Sequence, residues 1–297
     1  MLQRVMTLVA MFLFLLPLSL SAQSYSEVLA ASAPADWREL DAENTLYLTL
    51  ASGTVIIELA PLYAPNHVAN IKALAVEGYY NGLAIVRSQD NYVVQWADPN
   101  ADKPDAKPVQ NAKRNLAAEY TVKYNESFAF TVLADHDGYA PQVGHSNGFA
   151  VGRDPQAQTS WLTHCYGAVG VSRGVADNSG DGTSLYVVTG HAPRHLDRNI
   201  TVVGRVIQGM ELLSTLPRGS GSLGFYTTSE AQIPIERIQL ATAVPAEQRL
   251  KLEVLRTDSA TFNQAVASLR NRGGDWYKRP AGYIELCNVW VPSRVKN

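Results

Sequence analysis

The stretch GYYNGLAIVRSQDNYVVQWAD, Gly78 to Asp98, decides how the rest of this chain is read. Asn81-Gly82 stands between apolar residues, which predicts a turn with positive backbone angles. Leu83 to Val86 and Tyr92 to Val94 are short runs rich in β-branched or aromatic residues, so both read as strands. The first run ends on Arg87, a lone cation, and the second on Gln95, eight residues further on. Two strand-borne polar groups beside an aromatic predict a shallow apolar site with one fixed cation and one amide.

Upstream, Leu46, Leu48 and Leu50 alternate with other residues, Ser52-Gly53 turns the chain, and Val55, Ile57 and Leu59 alternate again. That pattern predicts a hairpin with one apolar face. Pro61 and Pro65 break the strand. Asn66 to Glu77 then reads as a helix with Val68, Ile71, Leu74 and Ala75 on one face. Gly78 stops it, as a left-handed residue past a helix end would.

Downstream the pattern weakens and then returns. DKPDAKPVQNAKRN, residues 102–115, is polar with Pro and Lys and reads as an exposed loop. Phe128 to Leu133 is a strand candidate, and DHDGYAPQVGHSNG, residues 135–148, is turn-rich. Ala168 to Ser172, Ser184 to Thr189 and Thr201 to Val206 are short β-type runs. Glu211 to Leu216 reads as a short helix, and Ile233 to Leu240 as another strand. Many strands, few helices and no regular βαβ alternation predict an antiparallel barrel or sandwich capped by helices. Beyond Ala241, RLKLEVLR alternates like a strand, and Ser259 to Arg272 reads as a helix stopped by Gly273-Gly274. Tyr283 to Val291 alternates again. This C-terminal β–α–β unit, residues 242–297, is too apolar for a disordered tail.

Targeting and composition bound the setting. Residues 1–22 carry one charge, Arg4, then an apolar stretch and the small residues Ser19, Ser21 and Ala22, as a secretory signal peptide does. The stretch is shorter than the roughly 20 residues a membrane span needs. Cleavage after Ala22 leaves a mature chain of about 275 residues, and loss of Arg4 takes the formal charge from −2 to −3. That balance argues against a nucleic-acid partner, which calls for a basic surface. Residues 23–42 read as a leader or linker. The chain has two cysteines, Cys165 and Cys287. An exported compartment permits their pairing, and two buried unreactive thiols are the alternative.

Other chemistries find little support. DNSGDG, Asp177 to Gly182, starts like a calcium loop, but its twelfth position is Val188 rather than Glu. His191 and His195 stand four apart with Pro193 between them, which opposes a shared helical face. The histidines have no zinc spacing. No Gly-x-Ser-x-Gly elbow and no Lys-bearing phosphate loop is present. No metal and no cofactor is expected.

The run SGTVIIELAPLYAPNHVANIKALAVEGYYNGLAIVR resembles the opening of a cyclophilin-type peptidyl-prolyl isomerase: hairpin, Ala-Pro, helix, Gly-Tyr-Tyr-x-Gly, then a strand ending in Arg. YVVQWADP, YGAVGVSRG, GTSLYVV and LDRNITVVGRVIQGME resemble later segments of the same family, so the likeness spans about Thr45 to Leu240. The resemblance implies a mainly β fold: a cyclophilin-like closed antiparallel β-barrel capped by helices over residues 43–241, interrupted by an insertion at about 100–164. It implies catalysis of cis/trans rotation about X-Pro bonds in proline-containing segments of unfolded or exported proteins, without cofactor, in the periplasm. Arg87 takes the place of the catalytic Arg and Gln95 that of a residue holding a substrate carbonyl. Tyr92, Val93, Tyr186 and Leu196 take the places of the proline pocket, and Arg173 that of a residue binding substrate backbone.

The chain also departs from the family. Val86 and Ile85 replace a His and an aromatic before the Arg, and Ser88 to Tyr92 replaces Ile-x-Pro-Gly-Phe. Ser184 and Leu185 replace Gln-Phe, His195 replaces a Trp, and Ile200 replaces a pocket His. Each lost neutral hydrogen bond to substrate is worth roughly 0.5–1.5 kcal/mol. A cyclophilin-like peptide-binding or chaperone module with little activity is therefore the alternative reading.

Overall fold

Alternating apolar residues pair Leu46, Leu48 and Leu50 with Ile57, Val55 and Gly53 in an antiparallel hairpin, and this ladder founds the larger sheet. The computed structural model describes residues 23–125, 128–227, 232–273 and 276–296. Residues 1–22, expected to be a signal peptide, and the Gly274 half of the second helix stop lie outside the described residues.

In chain order the strands are β1 (Trp37–Glu39), β2 (Thr45–Leu50), β3 (Gly53–Leu59), β4 (Ala84–Ser88), β5 (Val93–Ala97) and β6 (Val122–Lys123). Then come β7 (Thr131–Leu133), β8 (Gln142–Ser146), β9 (Phe149–Asp154), β10 (Thr159–Leu162), β11 (Ala168–Val171) and β12 (Leu185–Val188). The last are β13 (Val202–Gln208), β14 (Ile233–Pro234), β15 (Arg237–Leu240), β16 (Leu252–Leu255) and β17 (Ser293–Val295). The helices are α1 (Tyr25–Ala30), α2 (Pro65–Val76), α3 (Met210–Ser214) and α4 (Ala260–Arg270).

Nine strands form one curled antiparallel sheet in the order β14-β4-β5-β12-β11-β13-β3-β2-β15. Its concave side holds Leu48, Ile57, Val94, Trp96, Val169 and Leu185, and α2 lays Val68, Ile71 and Leu74 into the same core. Pro65 suits the first turn of α2, where a missing N–H costs nothing. Gly78 follows the helix at φ +70°, the left-handed stop that the sequence predicts.

The expected strand Ile233–Leu240 divides in two, and the chain between its halves bridges the seam of the curled sheet. Ile233 and Pro234 pair with β4, whereas Arg237 to Leu240 pair with β2 at the opposite edge of the sheet. Between them Ile235 bonds Leu83 and Gly82, and Glu236 bonds Thr49. Among the described residues no ladder joins the two edge strands, so the expected closed barrel is not strictly closed by hydrogen bonds. The chain itself crosses the seam.

The insertion, leader and tail build a second lobe. Strands β6-β10-β9-β8-β7 form a five-stranded antiparallel sheet, so the segment that reads as turns and loop is largely sheet from residue 122 onward. The leader is ordered rather than a linker. Ser24 and Glu27 form a capping box on α1, and Trp37 to Glu39 pair with β16. The tail is β–α–β as expected, but its last strand lies later than Tyr283–Val291. Leu286, Ile284 and Val289 are drawn into the lobe core beside Trp161, Phe262 and Leu255. Ser293 to Val295 are left to pair with β16.

The lobe covers part of the barrel's outer face. Phe149, Val151 and Leu162 of the insertion share a core with Val93, Tyr186, Val188 and Val202. Cys165 and Cys287 are joined by a disulfide with Cα atoms 5.0 Å apart, tying the end of the insertion to the tail. Their sequence separation is 122 residues, and cross-linking a loop of that order constrains the unfolded chain by typically about 2–4 kcal/mol. Replacing both cysteines with Ser is expected to lower the unfolding free energy by about that amount; chemical denaturation of both forms under non-reducing conditions measures it.

Candidate active site

A bulge sets the site. In the β4–β5 ladder Ile85 faces Trp96, and the register then shifts so that Arg87, not Val86, faces Gln95. Without that extra residue Arg87 would oppose Val94 and point into the apolar core. With it, Arg87, Gln95, Tyr186 and Gly170 lie in one register row across β4, β5, β12 and β11 on the outer face. Gly170 is required there, because a Cβ would stand 2.2 Å from Tyr186 Cζ.

The structure thus brings Arg87 and Gln95 together as the sequence predicts. Arg87 Nη1 donates to Gln95 Oε1 at 3.3 Å. Gln95 is only 8% exposed, and its Nε2 donates to the hydroxyls of Ser172 and Ser184, each at 3.1 Å. Arg87 Nη2 donates to Gln89 Oε1, and Nε donates to the Leu223 carbonyl at 2.7 Å. The guanidinium lies within cation–π reach of the Tyr92 and Phe225 rings, 5.6 and 5.3 Å from their centroids. Partial burial lowers its pKa, but from so high a value that it stays charged.

Phe225 and Leu223 come from a Gly/Ser-rich loop that sequence reasoning passed over. Gly219 N–H donates to the Ser88 carbonyl and Tyr226 N–H to the Val86 carbonyl, which lays the loop along the free edge of β4. Its contribution to Arg87 is partly a backbone carbonyl, and composition carries no signal for that. Gln89 sits within the opening stretch, where its short spacing from Arg87 is the one available sign.

The proposed proline-pocket residues separate by burial. Tyr92 is half-buried, whereas Val93 and Tyr186 are 2% and 5% exposed in the core beneath the insertion sheet. Leu196 is half-buried on a short 3-10 turn, Arg194–Leu196. Of that neighbourhood it is Ile200 that packs against the Val93–Tyr186 cluster. Arg173 is occupied by its own surroundings: its Nε donates to the Asn199 carbonyl and its Nη1 to the carbonyls of Gly174 and Val175.

Behind the row runs a buried polar chain. Tyr186 hydroxyl stands 2.8 Å from His164 Nε2, and His164 Nδ1 stands 2.9 Å from Asp197 Oδ1. With Nδ1–H donating to the carboxylate, Nε2 accepts the Tyr186 proton. Asp197 Oδ2 accepts from Arg194 Nε at 2.6 Å, and Arg194 grips Asp137 with its two Nη groups at 2.9 and 3.1 Å. Burial pushes the Tyr186 hydroxyl well above its ordinary pKa, so it remains protonated. Burial opposes the charge on Arg194, but Asp197 and Asp137 outweigh it and raise its pKa.

The calcium-like DNSGDG segment is used structurally. Asp181 accepts from Arg114 at 3.0 Å and from the Thr183 hydroxyl at 2.6 Å. Among the described residues no group of three or more His, Cys, Asp or Glu converges in a way that could hold a metal ion. Also among the described residues, no helix is long and apolar enough to cross a membrane.

Residues 45–243 match the family model described as cyclophilin type peptidyl-prolyl cis-trans isomerase/CLD. The chain belongs to the cyclophilin-type peptidyl-prolyl cis-trans isomerases, and its enzyme class is that of the family. It is 31% identical over 180 residues to a probable peptidyl-prolyl cis-trans isomerase of Brucella suis, covering 61% of this chain and 74% of that protein. It is 24% identical over 191 residues to a putative thylakoid lumen peptidyl-prolyl cis-trans isomerase of Synechocystis, covering 61% of this chain and 46% of that one. The crystal structure of a cyclophilin from Hirschia baltica superposes with a TM-score of 0.70 at 25% identity, covering 92% of this chain and 97% of that one. That likeness therefore reaches well beyond the family segment into the second lobe.

The buried chain behind the site gives a direct test of Tyr186. Tyr186→Phe keeps the ring but strands the His164 acceptor. It is expected to cost about 1–3 kcal/mol of stability while changing the isomerisation rate less than threefold; denaturant titration and a peptide assay on the same variant check both halves.

Proposed function

We propose that this isomerase rotates X-Pro bonds on the outer face of its barrel with Arg87 as the catalytic residue, and that its substrates are proline-containing segments of exported proteins in the periplasm. The observation that carries the proposal is the bulge-dependent pairing of a half-buried Arg87 with Gln95 at the accessible end of one register row.

Amide resonance sets the rotation barrier at roughly 18–20 kcal/mol. No covalent step is needed: a site that binds the twisted amide better than either planar form lowers the barrier. As the bond twists, the prolyl nitrogen gains a lone pair. A guanidinium donating to it stabilises that state and opposes the return of resonance. A guanidinium has five N–H donors, and Leu223, Gln89 and Gln95 engage three of those on Arg87. The other two are available to a substrate. Cation–π contacts with Tyr92 and Phe225 further restrain the group.

Gln95 acts here as a positioning residue. Ser172 and Ser184 take its amide donors, so its carbonyl is turned toward Arg87. Ser184 stands where the family has Gln and supplies a shorter donor–acceptor group to the same row. The exported setting is supported by the disulfide, since such bonds persist in oxidising compartments. The signal-like Met1–Ala22 segment points the same way, and so does the name of the Synechocystis relative.

A prolyl-isomerisation assay on a proline-containing peptide tests the reading. Arg87→Ala, folded by circular dichroism, is expected to lose at least tenfold in kcat/KM, about 1.4 kcal/mol of transition-state stabilisation. Arg87→Lys is expected to fall nearly as far, because an ammonium cannot keep the fork geometry. A wild-type chain that binds the peptide without accelerating rotation would replace this reading with that of a peptide-binding module.

A further inference from the structure

Away from Arg87, the two lobes enclose a cavity of about 330 Å³ between the outer face of β11 and β13 and the tail segment 286–291. That size lies within the range of small-molecule sites. Its walls are largely apolar, with Phe149, Leu162, Val202, Val206, Met210 and Val289 among them. No Asp or Glu lines it, whereas Arg205 and His145 do.

Arg205 is under-partnered by construction. It lies in register between Glu58 on β3 and Ala168 on β11. Glu58 is already gripped by Arg38 through bonds of 2.6 and 3.0 Å. Arg205 Nε remains 3.7 Å from that carboxylate, an ion pair longer than a hydrogen bond. Two guanidinium groups therefore share one carboxylate. Arg205 Nε and Nη2 are buried without a hydrogen-bond partner, and so is Nε2 of His145, which is 2% exposed. Burial, with the charge of Arg205 beside it, pushes the His145 pKa down to about 3, so the ring is neutral.

The geometry points to a binding site for a small organic monocarboxylate with an apolar body, its carboxylate facing the partly accessible Arg205 side chain and its body along the apolar walls. A guanidinium matches carboxylate geometry better than any other side chain. The added anion balances the second guanidinium, and the neutral His145 beside it adds no competing charge. The apolar walls exclude a bare inorganic anion as the best fit, because such an anion would leave most of the cavity uncovered. None of Arg87, Gln95 or Tyr92 lines this space, so the inference stands apart from the isomerase site.

Calorimetric titration of the mature, disulfide-intact chain with octanoate, 1-octanol and acetate tests it. Octanoate is expected to bind at least tenfold tighter than either of the others. Arg205→Gln, which removes the cation, and Ala150→Leu, which fills the cavity and leaves every charge in place, are each expected to weaken octanoate at least tenfold. The second variant keeps the test valid if the first fails to fold. Absence of octanoate binding at millimolar concentration, equal affinity for 1-octanol, or affinity unchanged in Ala150→Leu would overturn the assignment.

Discussion

Arg194 holds the two lobes to one another and to the site. It is 1% exposed and stands between Asp137 of the insertion and Asp197 of the barrel, with three of its nitrogens donating to them. A buried ion pair adds little net stability over apolar packing, because desolvation cancels much of the attraction. Removing one member is another matter, since the others are then left charged in a place without water. The arrangement ties the insertion to the barrel through charges that neither side loses cheaply. From Asp197 it continues through His164 to Tyr186, which neighbours Gln95 in the register row. The insertion is therefore coupled to the site by hydrogen bonds as well as by packing.

That coupling explains the makeup of the pocket. In a barrel with an open outer face, Val93 and Tyr186 would meet solvent or substrate. Here they are part of a core with Phe149, Val151 and Leu162. What stays accessible is the end of the row nearest β4, where Arg87 and Tyr92 are half-buried and Phe225 is 39% exposed. The losses of family residues noted in the sequence fall in this light. Ile200 in place of a polar pocket residue joins an apolar cluster, and Ser184 in place of Gln bonds Gln95 and the Trp96 carbonyl.

The barrel was readable because its signals are local. Alternation in Leu46 to Leu59, the apolar face of α2 and the Gly78 stop each fall within about 14 residues. The second lobe was not, because its strands gain their meaning from distant partners. Trp37 to Glu39 is a strand only because β16 lies beside it, more than 200 residues away in sequence. Strand β8 carries Gly144, His145 and Ser146, which read as turn chemistry and are buried nonetheless. In the site, Arg87 and Gln95 stand out by type and spacing. The Leu223 carbonyl, the His164 partner of Tyr186 and the occupied donors of Arg173 depend on backbone or long-range contacts that no local pattern encodes.

The crossing of the seam by Ile233–Leu240 also orders events in time. The outer edges of β2 and β4 have no ladder partner until that segment exists, although both strands are made early. At typical synthesis rates of about 5–20 residues per second, β4 waits on the order of 10–30 s for its neighbour. During that wait two β-strand edges present unpaired N–H and C=O groups, the template on which chains add to one another. The newborn chain thus has a window in which it is itself a client for whatever shields exposed strands.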